Sequence, residues 1–235
     1  MELTYAIGDI HGCRDLLVGL LAAIEADARG RPYRLVFLGD YIDKGPDSAG
    51  VIEILMRLEA RSAHPIVCLK GNHDCVMAEA VTSEAAALKW LTMGGGAVLA
   101  QYGVSRAADL PAAVLDWIGA LPTWHEDETR YFVHAGVDPA RPLSMQTDAA
   151  RLSMRGAFLD EDHDFGKHIV HGHTPQLSGL PELRPYRTNL DTGVVLTGCL
   201  TAAVFEAGAG GPKRILQARA GGVTISDVGF VEHQR

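Results

Sequence analysis

The chain has no cysteines paired at metal-binding or redox spacing. Its four cysteines, Cys13, Cys68, Cys75 and Cys199, form no C-x-x-C, which excludes a zinc ribbon and a thioredoxin-like centre. Reduced, mostly buried thiols are expected. No apolar run reaches the ~20 residues that a membrane helix needs. Met1-Glu2-Leu3-Thr4-Tyr5 lacks the basic-then-apolar order of a signal peptide. A cytoplasmic protein with no membrane partner is the expectation. Positive charge is also short: 21 Lys and Arg stand against 29 Asp and Glu, a net charge of -8. That balance argues against nucleic acid as a partner, because such binding rests on clustered Lys and Arg. The run Gly94-Gly95-Gly96 follows no strand and does not match G-x-G-x-x-G, so it reads as a helix junction and not as a dinucleotide loop. No internal repeat, low-complexity linker or domain boundary is evident, and residues 1–235 read as one domain.

Hydrophobic residues make up 47% of the 235, enough for a core without disulfide support. Leu3 to Ile7 reads as a buried strand ending in Gly8-Asp9-Ile10-His11-Gly12. A helix follows to Ala28, with Leu16, Leu17, Leu20, Leu21 and Ile24 at helical spacing. Arg34 to Leu38 is a second strand, emptying into Gly39-Asp40-Tyr41-Ile42-Asp43-Lys44-Gly45-Pro46-Asp47-Ser48. The glycines and proline predict a loop with unusual backbone angles, and Ser48 is placed to cap the next helix. Pro65 to Leu69 is a third strand, followed by Lys70-Gly71-Asn72-His73-Asp74. Strand, loop and helix in repetition predict a parallel sheet covered by helices, an α/β fold. Residues 75–121 read as a helical insertion. Strands resume at Thr129–Val133, Lys167–Val170, Thr188–Leu190, Leu200–Phe205, Lys213–Ala218 and Gly222–Ser226. The alternating Arg214-Ile215-Leu216-Gln217-Ala218-Arg219 suggests an edge or partly exposed strand.

Five of these strand exits carry metal-type ligands. Asp9 and His11 leave the first strand two residues apart, so both can point to one side. Asp40 follows, then Asn72 and His73, then His134, then His171 and His173. One Asp or His at a strand end is an ordinary turn residue. The same feature recurring at one end of a sheet indicates a site, since ligands in open α/β sheets bind beyond the carboxyl ends of strands. Carboxylate, imidazole and amide oxygen without thiolate suit Mn²⁺, Fe, Zn²⁺ or Co²⁺ and argue against a structural zinc. The donors exceed one coordination shell, so two ions ~3.5–4 Å apart with Asp40 between them fit better. Two divalent ions outweigh Asp9 and Asp40, which lets an acidic protein bind phosphate.

The motifs Gly8-Asp9-Ile10-His11-Gly12, Gly39-Asp40 through Gly45, Gly71-Asn72-His73-Asp74, His134-Ala135-Gly136 and Gly172-His173-Thr174 together resemble the phosphoprotein phosphatase group of calcineurin-like metallophosphatases. The likeness is greatest to its small bacterial and bacteriophage serine/threonine phosphatases. That resemblance implies a two-sheet β-sandwich flanked by helices. It also implies two divalent ions, manganese first, with iron, zinc or cobalt as alternatives. Asp9 and His11 would hold one ion, Asp40 would bridge, and Asn72, His134 and His173 would hold the other. Metal-bridging hydroxide would attack phosphorus in line. His73 would be the general acid, its tautomer fixed by Asp43. Lys44 and Lys70 stand where relatives carry phosphate-binding arginines, and Lys keeps the charge but loses the bidentate fork. With Asn72, Arg155 in Leu152-Ser153-Met154-Arg155 completes the expected phosphate contacts. His171 reads equally as a support for His173 or as a residue facing away. His64, His125, His163, His168 and His233 read as surface or packing residues, and Asp191 as a turn residue.

A serine/threonine protein phosphatase with some tolerance for phosphotyrosine is the first functional expectation. Its partner would be a phosphorylated protein or a small phosphoester. The alternative is a bis(5'-nucleosyl)-tetraphosphate hydrolase of the same fold. Asp43 beside His73 favours the first, because an alkoxide needs protonation more than a phosphate leaving group does. Asp74 favours the second. A non-catalytic metal-binding module is the third reading, and intact ligands argue against it. The -8 charge argues against a nuclease.

Overall fold

The computed structural model describes residues 2–228, so His233 lies outside the described residues. Three strand-loop-helix units open the fold: β1 (Leu3–Ile7), α1 (Arg14–Ala28), β2 (Tyr33–Phe37), α2 (Ser48–Arg61) and β3 (Ile66–Cys68). The predicted parallel pairing is present, with β1 beside β2 and β2 beside β3. Between β3 and the next strand lie α3 (Asn72–Glu79), α4 (Glu84–Met93), α5 (Gly95–Tyr102) and α6 (Ala112–Ala120). The glycine run is a helix junction: α4 ends at Met93, Gly94 takes φ 121°, and α5 starts at Gly95.

A second sheet follows from β4 (Trp124–Glu126), β5 (Arg130–Val133), α7 (Asp148–Ser153), α8 (Ala157–Asp160), β6 (His168–His171), β7 (Glu182–Leu183) and β8 (Arg187–Asn189). After α9 (Val194–Thr197) the chain returns to the first sheet as β9 (Leu200–Glu206), β10 (Arg214–Arg219) and β11 (Gly222–Asp227). The sheet orders are β11-β10-β9-β1-β2-β3 and β4-β5-β6-β8-β7. Strand β10 lies inside the sheet and β11 takes the edge, so of the two readings of its alternation the partly exposed strand is the one that holds. Leu216 and Ala218 are buried in the helix-covered layer, whereas Gln217 is half-buried and Arg219 exposed on the other face.

Strand alternation sorts the core into layers. Leu3, Tyr5 and Ile7 of β1 face α1 and α2, meeting Leu17, Leu20, Ile24, Val51 and Leu55. Ala6 of the same strand faces the other way, into the layer between the sheets. There it joins Val36, Leu38, Leu69, Phe132, Val170 and Phe205. Phe132 of one sheet meets Phe205 of the other edge-on at 6.3 Å. The outer face of the second sheet packs Tyr131, Val133 and Ile169 against Phe158. This two-sheet α/β sandwich with flanking helices matches the architecture the sequence motifs imply. Its six parallel strands, β1, β2, β3, β5, β6 and β8, all end along one edge.

Candidate metal centre

That edge carries the site. Asp9 and His11 follow β1. Asp40, Asp43 and Lys44 follow β2, and Asn72 and His73 follow β3. From the second sheet, His134 follows β5 and His173 follows β6. The loops hold these residues in conformations that side chains rarely adopt. His11, Asp40, Asp43, Lys44 and His173 have φ between 42° and 69°, and Arg29 is the remaining non-glycine with positive φ among the described residues. Each such residue costs roughly 1–3 kcal/mol, so the surroundings must over-determine it. They do. The Asp40 carbonyl accepts the backbone N–H of Ile10 (3.1 Å) and His11 (2.9 Å). Buried Asp74 accepts three more: Asp40 N–H (2.8 Å), Tyr41 N–H (3.2 Å) and Gly71 N–H (2.8 Å). Asp74 thus pins the loops after β2 and β3 together and caps α3. Burial and the nearby Asp40 push its carboxyl up to about 7. It faces loop backbone and carries no information about substrate.

Two glycines permit the close approach. A Cβ on Gly71 would collide with the backbone N and the carboxylate of Asp40, and one on Gly45 with the His11 carbonyl. Of the loop's glycines, Gly39 takes the left-handed conformation at φ 101°, whereas Gly45 is needed for space, not for φ. The helix cap differs from the expectation as well. Asp47 caps α2 through Gly50 N–H (2.8 Å), while the Ser48 hydroxyl accepts Asp43 N–H (3.0 Å) and steadies the turn.

Two groups of donor atoms, each within 4.8 Å, share Asp40: one with His11 and His73, the other with His134 and His173. The sharing is oxygen by oxygen. Asp40 Oδ2 lies 3.6 Å from His11 Nε2 and 3.9 Å from His73 Nε2, and Oδ1 lies 3.5 Å from His134 Nε2. His11 donates its Nδ1–H to the Ile42 carbonyl (2.8 Å) and His134 donates its own to the Leu38 carbonyl (2.9 Å). Each Nε2 is therefore left with a lone pair. That of His134 points at Asn72 Oδ1, 3.0 Å away, and Asn72 Oδ1 is also 2.8 Å from His173 Nδ1. Lone pairs converging on one another and on a carboxylate are what a cation resolves, so the donor set fits divalent ions.

Electrostatics agree. Burial lowers the imidazoles of His11 to about 4 and of His173 to about 3, and lowers His134, which favours the neutral, lone-pair form of each. Burial opposes the charge on Asp40, but the imidazoles of His134, His11 and His73 outweigh it and hold the carboxyl low. Asp9 belongs to neither group. It accepts the His173 N–H (3.1 Å) and lies beside Asp191. Burial, then Asp191 and Asp40, raise Asp9 well above the usual carboxylate range. Burial lifts Asp191 to about 6, and the two carboxyls share a hydrogen bond.

The cleft above these groups has a volume of about 190 Å³ and a mixed lining. His11, Asp40, Lys44, Asn72, His73, Arg155 and His173 supply its polar part, and Pro175, Val194, Val195 and Leu196 its apolar part. Lys44 places its ammonium 3.0 Å from His11 Nε2, and Arg155 directs Nε–H to His173 Nε2 at 3.3 Å. His73 donates its Nδ1–H to Asp43 Oδ2 at 2.6 Å, leaving Nε2 toward the cleft. Lys70 does not line it. Its ammonium donates to the Gly119 carbonyl (2.9 Å) at the end of α6, so the expected phosphate contact finds no support in the geometry. His171 faces away from the donors, packed against Phe158 at 5.1 Å with its Nδ1–H on the Gly172 carbonyl (3.1 Å).

Asp191 lines the same cleft. Sequence reasoning had placed it in a turn. It does cap that turn, accepting Gly193 N–H (2.9 Å). It also sits two residues beyond β8, a sixth strand exit with the same pattern as the other five. The strand itself was legible, and its exit should have been counted with them.

Comparison with known proteins agrees with this geometry. A family model described as calcineurin-like phosphoesterase matches residues 4–198. A symmetrical bis(5'-nucleosyl)-tetraphosphatase of Klebsiella pneumoniae is 29% identical over 199 residues, covering 77% of this chain and 61% of that protein. Serine/threonine-protein phosphatase 1 of Salmonella typhimurium is 27% identical over 210 residues, covering 86% and 91%. A crystal structure presented as a candidate diadenosine tetraphosphatase superposes with a TM-score of 0.67 at 27% identity, covering 92% of each chain. The chain spans about half to two-thirds of the length of such curated tetraphosphatases. No helix among the described residues is long and apolar enough to cross a membrane. A model matched over most of the chain, a two-sheet fold and a shared aspartate between two donor groups lead to one conclusion: the chain belongs to the calcineurin-like phosphoesterase family.

Proposed function

We propose that the protein hydrolyses phosphoanhydrides of dinucleoside polyphosphates at the Asp40 cleft, with diadenosine tetraphosphate as the type substrate. For the reaction class, the supporting observation is Asp40, whose two oxygens each face a different donor group. The likeness to symmetrical tetraphosphatases supports the substrate class. The mixed lining suits such a substrate, since Lys44 and Arg155 can meet a polyphosphate chain and Pro175, Val194 and Leu196 offer apolar surface to a nucleoside.

Asp9, His11, Asp40, Asn72, His134 and His173 would hold two divalent ions, with Asp191 steadying Asp9. Bound there, the ions would supply Lewis acidity toward the phosphoryl group and toward water. The protein's own residues do the rest. Lys44 and Arg155 fix the phosphate against rotation. His73 presents Nε2 to the leaving oxygen and passes it a proton, and Asp43 stabilises the imidazolium that precedes transfer. The ordered backbone around Asp40 holds the donors in place before substrate arrives.

The second reading is a serine/threonine phosphatase of the phosphoprotein phosphatase group. It is favoured by the complete His73–Asp43 pair, which serves a poor alkoxide leaving group, and by the 91% coverage of the Salmonella phosphatase. Steady-state kinetics of the Mn²⁺-loaded protein separates the two. The kcat/KM for diadenosine tetraphosphate should exceed that for a phosphoserine peptide by about tenfold or more, a difference of ~1.4 kcal/mol in transition-state binding. A preference for the peptide establishes the second reading. Inertness on both substrates and on p-nitrophenyl phosphate rejects the enzymatic reading altogether.

A further inference from the structure

Trp90 of α4 donates its indole Nε1–H to both carboxylate oxygens of Asp43, at 3.1 Å and 3.2 Å. The indole is 1% exposed and Asp43 is fully buried. Its neighbours are arranged to seat it. A Cβ on Gly95 would collide with the indole ring, and one on Gly94 would come within 3.0 Å of Lys44 N and 3.1 Å of Asp43 Cβ. The glycine run between α4 and α5 therefore lies against the Asp43–Lys44 turn and leaves room for the ring.

We propose that Trp90 is a positioning residue for proton transfer: it fixes the Asp43 carboxylate, and through it the orientation of His73, tying the α4–α5 helices to the reaction centre. The inference rests on His73 acting as the general acid of the proposed reaction. Its physical basis is the chemistry of the donor. A buried carboxylate needs its acceptor capacity met. An arginine or lysine in this place would neutralise Asp43 and weaken its pull on His73. The indole N–H is a donor only and carries no charge. It orders the carboxylate and leaves its charge for the imidazole 2.6 Å away. The contact also spans distant parts of the chain, 47 residues apart, so a displacement of α4 changes the aim of His73.

The test uses the full chain and two independent readouts. The first is the far-downfield Nδ1–H proton resonance of His73 in the metal-free protein, a signature of its short bond to Asp43. The wild type should show it, Trp90→Phe should shift or broaden it, and Asp43→Asn should abolish it. The second is the leaving-group dependence of kcat across aryl phosphates, from p-nitrophenyl to phenyl, with Mn²⁺ bound. Trp90→Phe should lower kcat about tenfold more on phenyl phosphate than on p-nitrophenyl phosphate, in the direction that Asp43→Asn sets. Trp90→Phe added to Asp43→Asn should change the dependence no further. Gly95→Ala, which displaces the ring without removing it, should behave as Trp90→Phe and serves if that variant does not fold. An unchanged His73 resonance and an unchanged leaving-group dependence in both variants, while Asp43→Asn alters them, overturn the proposal. If the wild type is inert on diadenosine tetraphosphate as well as on every aryl phosphate, the proposed function falls, and the resonance alone then decides whether Trp90 aims His73.

Discussion

Asp191 and Asp9 show how a single carboxylate changes meaning with its surroundings. Each is buried; their partners are each other, the Gly193 and His173 amides, and the charge of Lys44. Burial and then the charge of Asp191 raise Asp9, and a cation bound beside the pair would favour both carboxylates. Asp191→Asn keeps the shape and the turn but removes the charge. It should weaken Mn²⁺ binding about 10- to 100-fold, the usual cost of losing a group that supports a metal ligand. Titration calorimetry measures this. An unchanged Mn²⁺ affinity would return Asp191 to a turn residue. Lys70 makes the opposite point. Its place before Gly71 suggested a phosphate contact, but its side chain finds the free carbonyl at the end of α6, a favourable place for a cation at a helix C-terminus.

At the scale of elements, the site is a set of strand exits locked to one another, and most of that was legible. Alternation and apolar runs gave β1, β2, β3, β5, β6, β8 and β9 to within a residue or two, and the polar residues just past their ends gave Asp9 through His173. Strands β4 and β7, of three and two residues, escaped because so short a segment has no period to detect. Asp191 is legible as a polar residue just past a strand, but its partner is not. Its place beside Asp9 depends on β8 pairing in parallel with β6, His171 opposite Asn189, and no local pattern specifies that register. The loops carry their own prediction. Gly71→Ala forces a Cβ into Asp40, so the loop after β3 must retreat from the shared ligand. Turnover should fall about 100-fold, the scale expected for a displacement near 1 Å at a reacting centre. The far-ultraviolet circular dichroism should stay that of the wild type. Wild-type turnover in Gly71→Ala would mean that the contact with Asp40 is not tight.

At the scale of the whole molecule, two sheets bring their carboxyl ends to one edge, and the -8 net charge stops mattering there. The edge gathers imidazoles, an amide oxygen and three buried carboxyls beside Lys44 and Arg155, a donor set that cations would turn toward anions. The two-sheet sandwich came from the motifs and not from periodicity, which indicated an α/β sheet followed by further strands. Periodicity could not say that β9, β10 and β11 rejoin the first sheet, since antiparallel return beside β1 is a tertiary choice. The central claim is that Asp40 joins two cation sites into one hydrolytic centre. The direct measurement is turnover of diadenosine tetraphosphate while Mn²⁺ is titrated into metal-free protein. The rate should climb until two equivalents per chain are bound, with ADP as the sole nucleotide product, and Asp40→Asn should stay inactive throughout. A maximal rate at one equivalent, or an active Asp40→Asn variant, would contradict it.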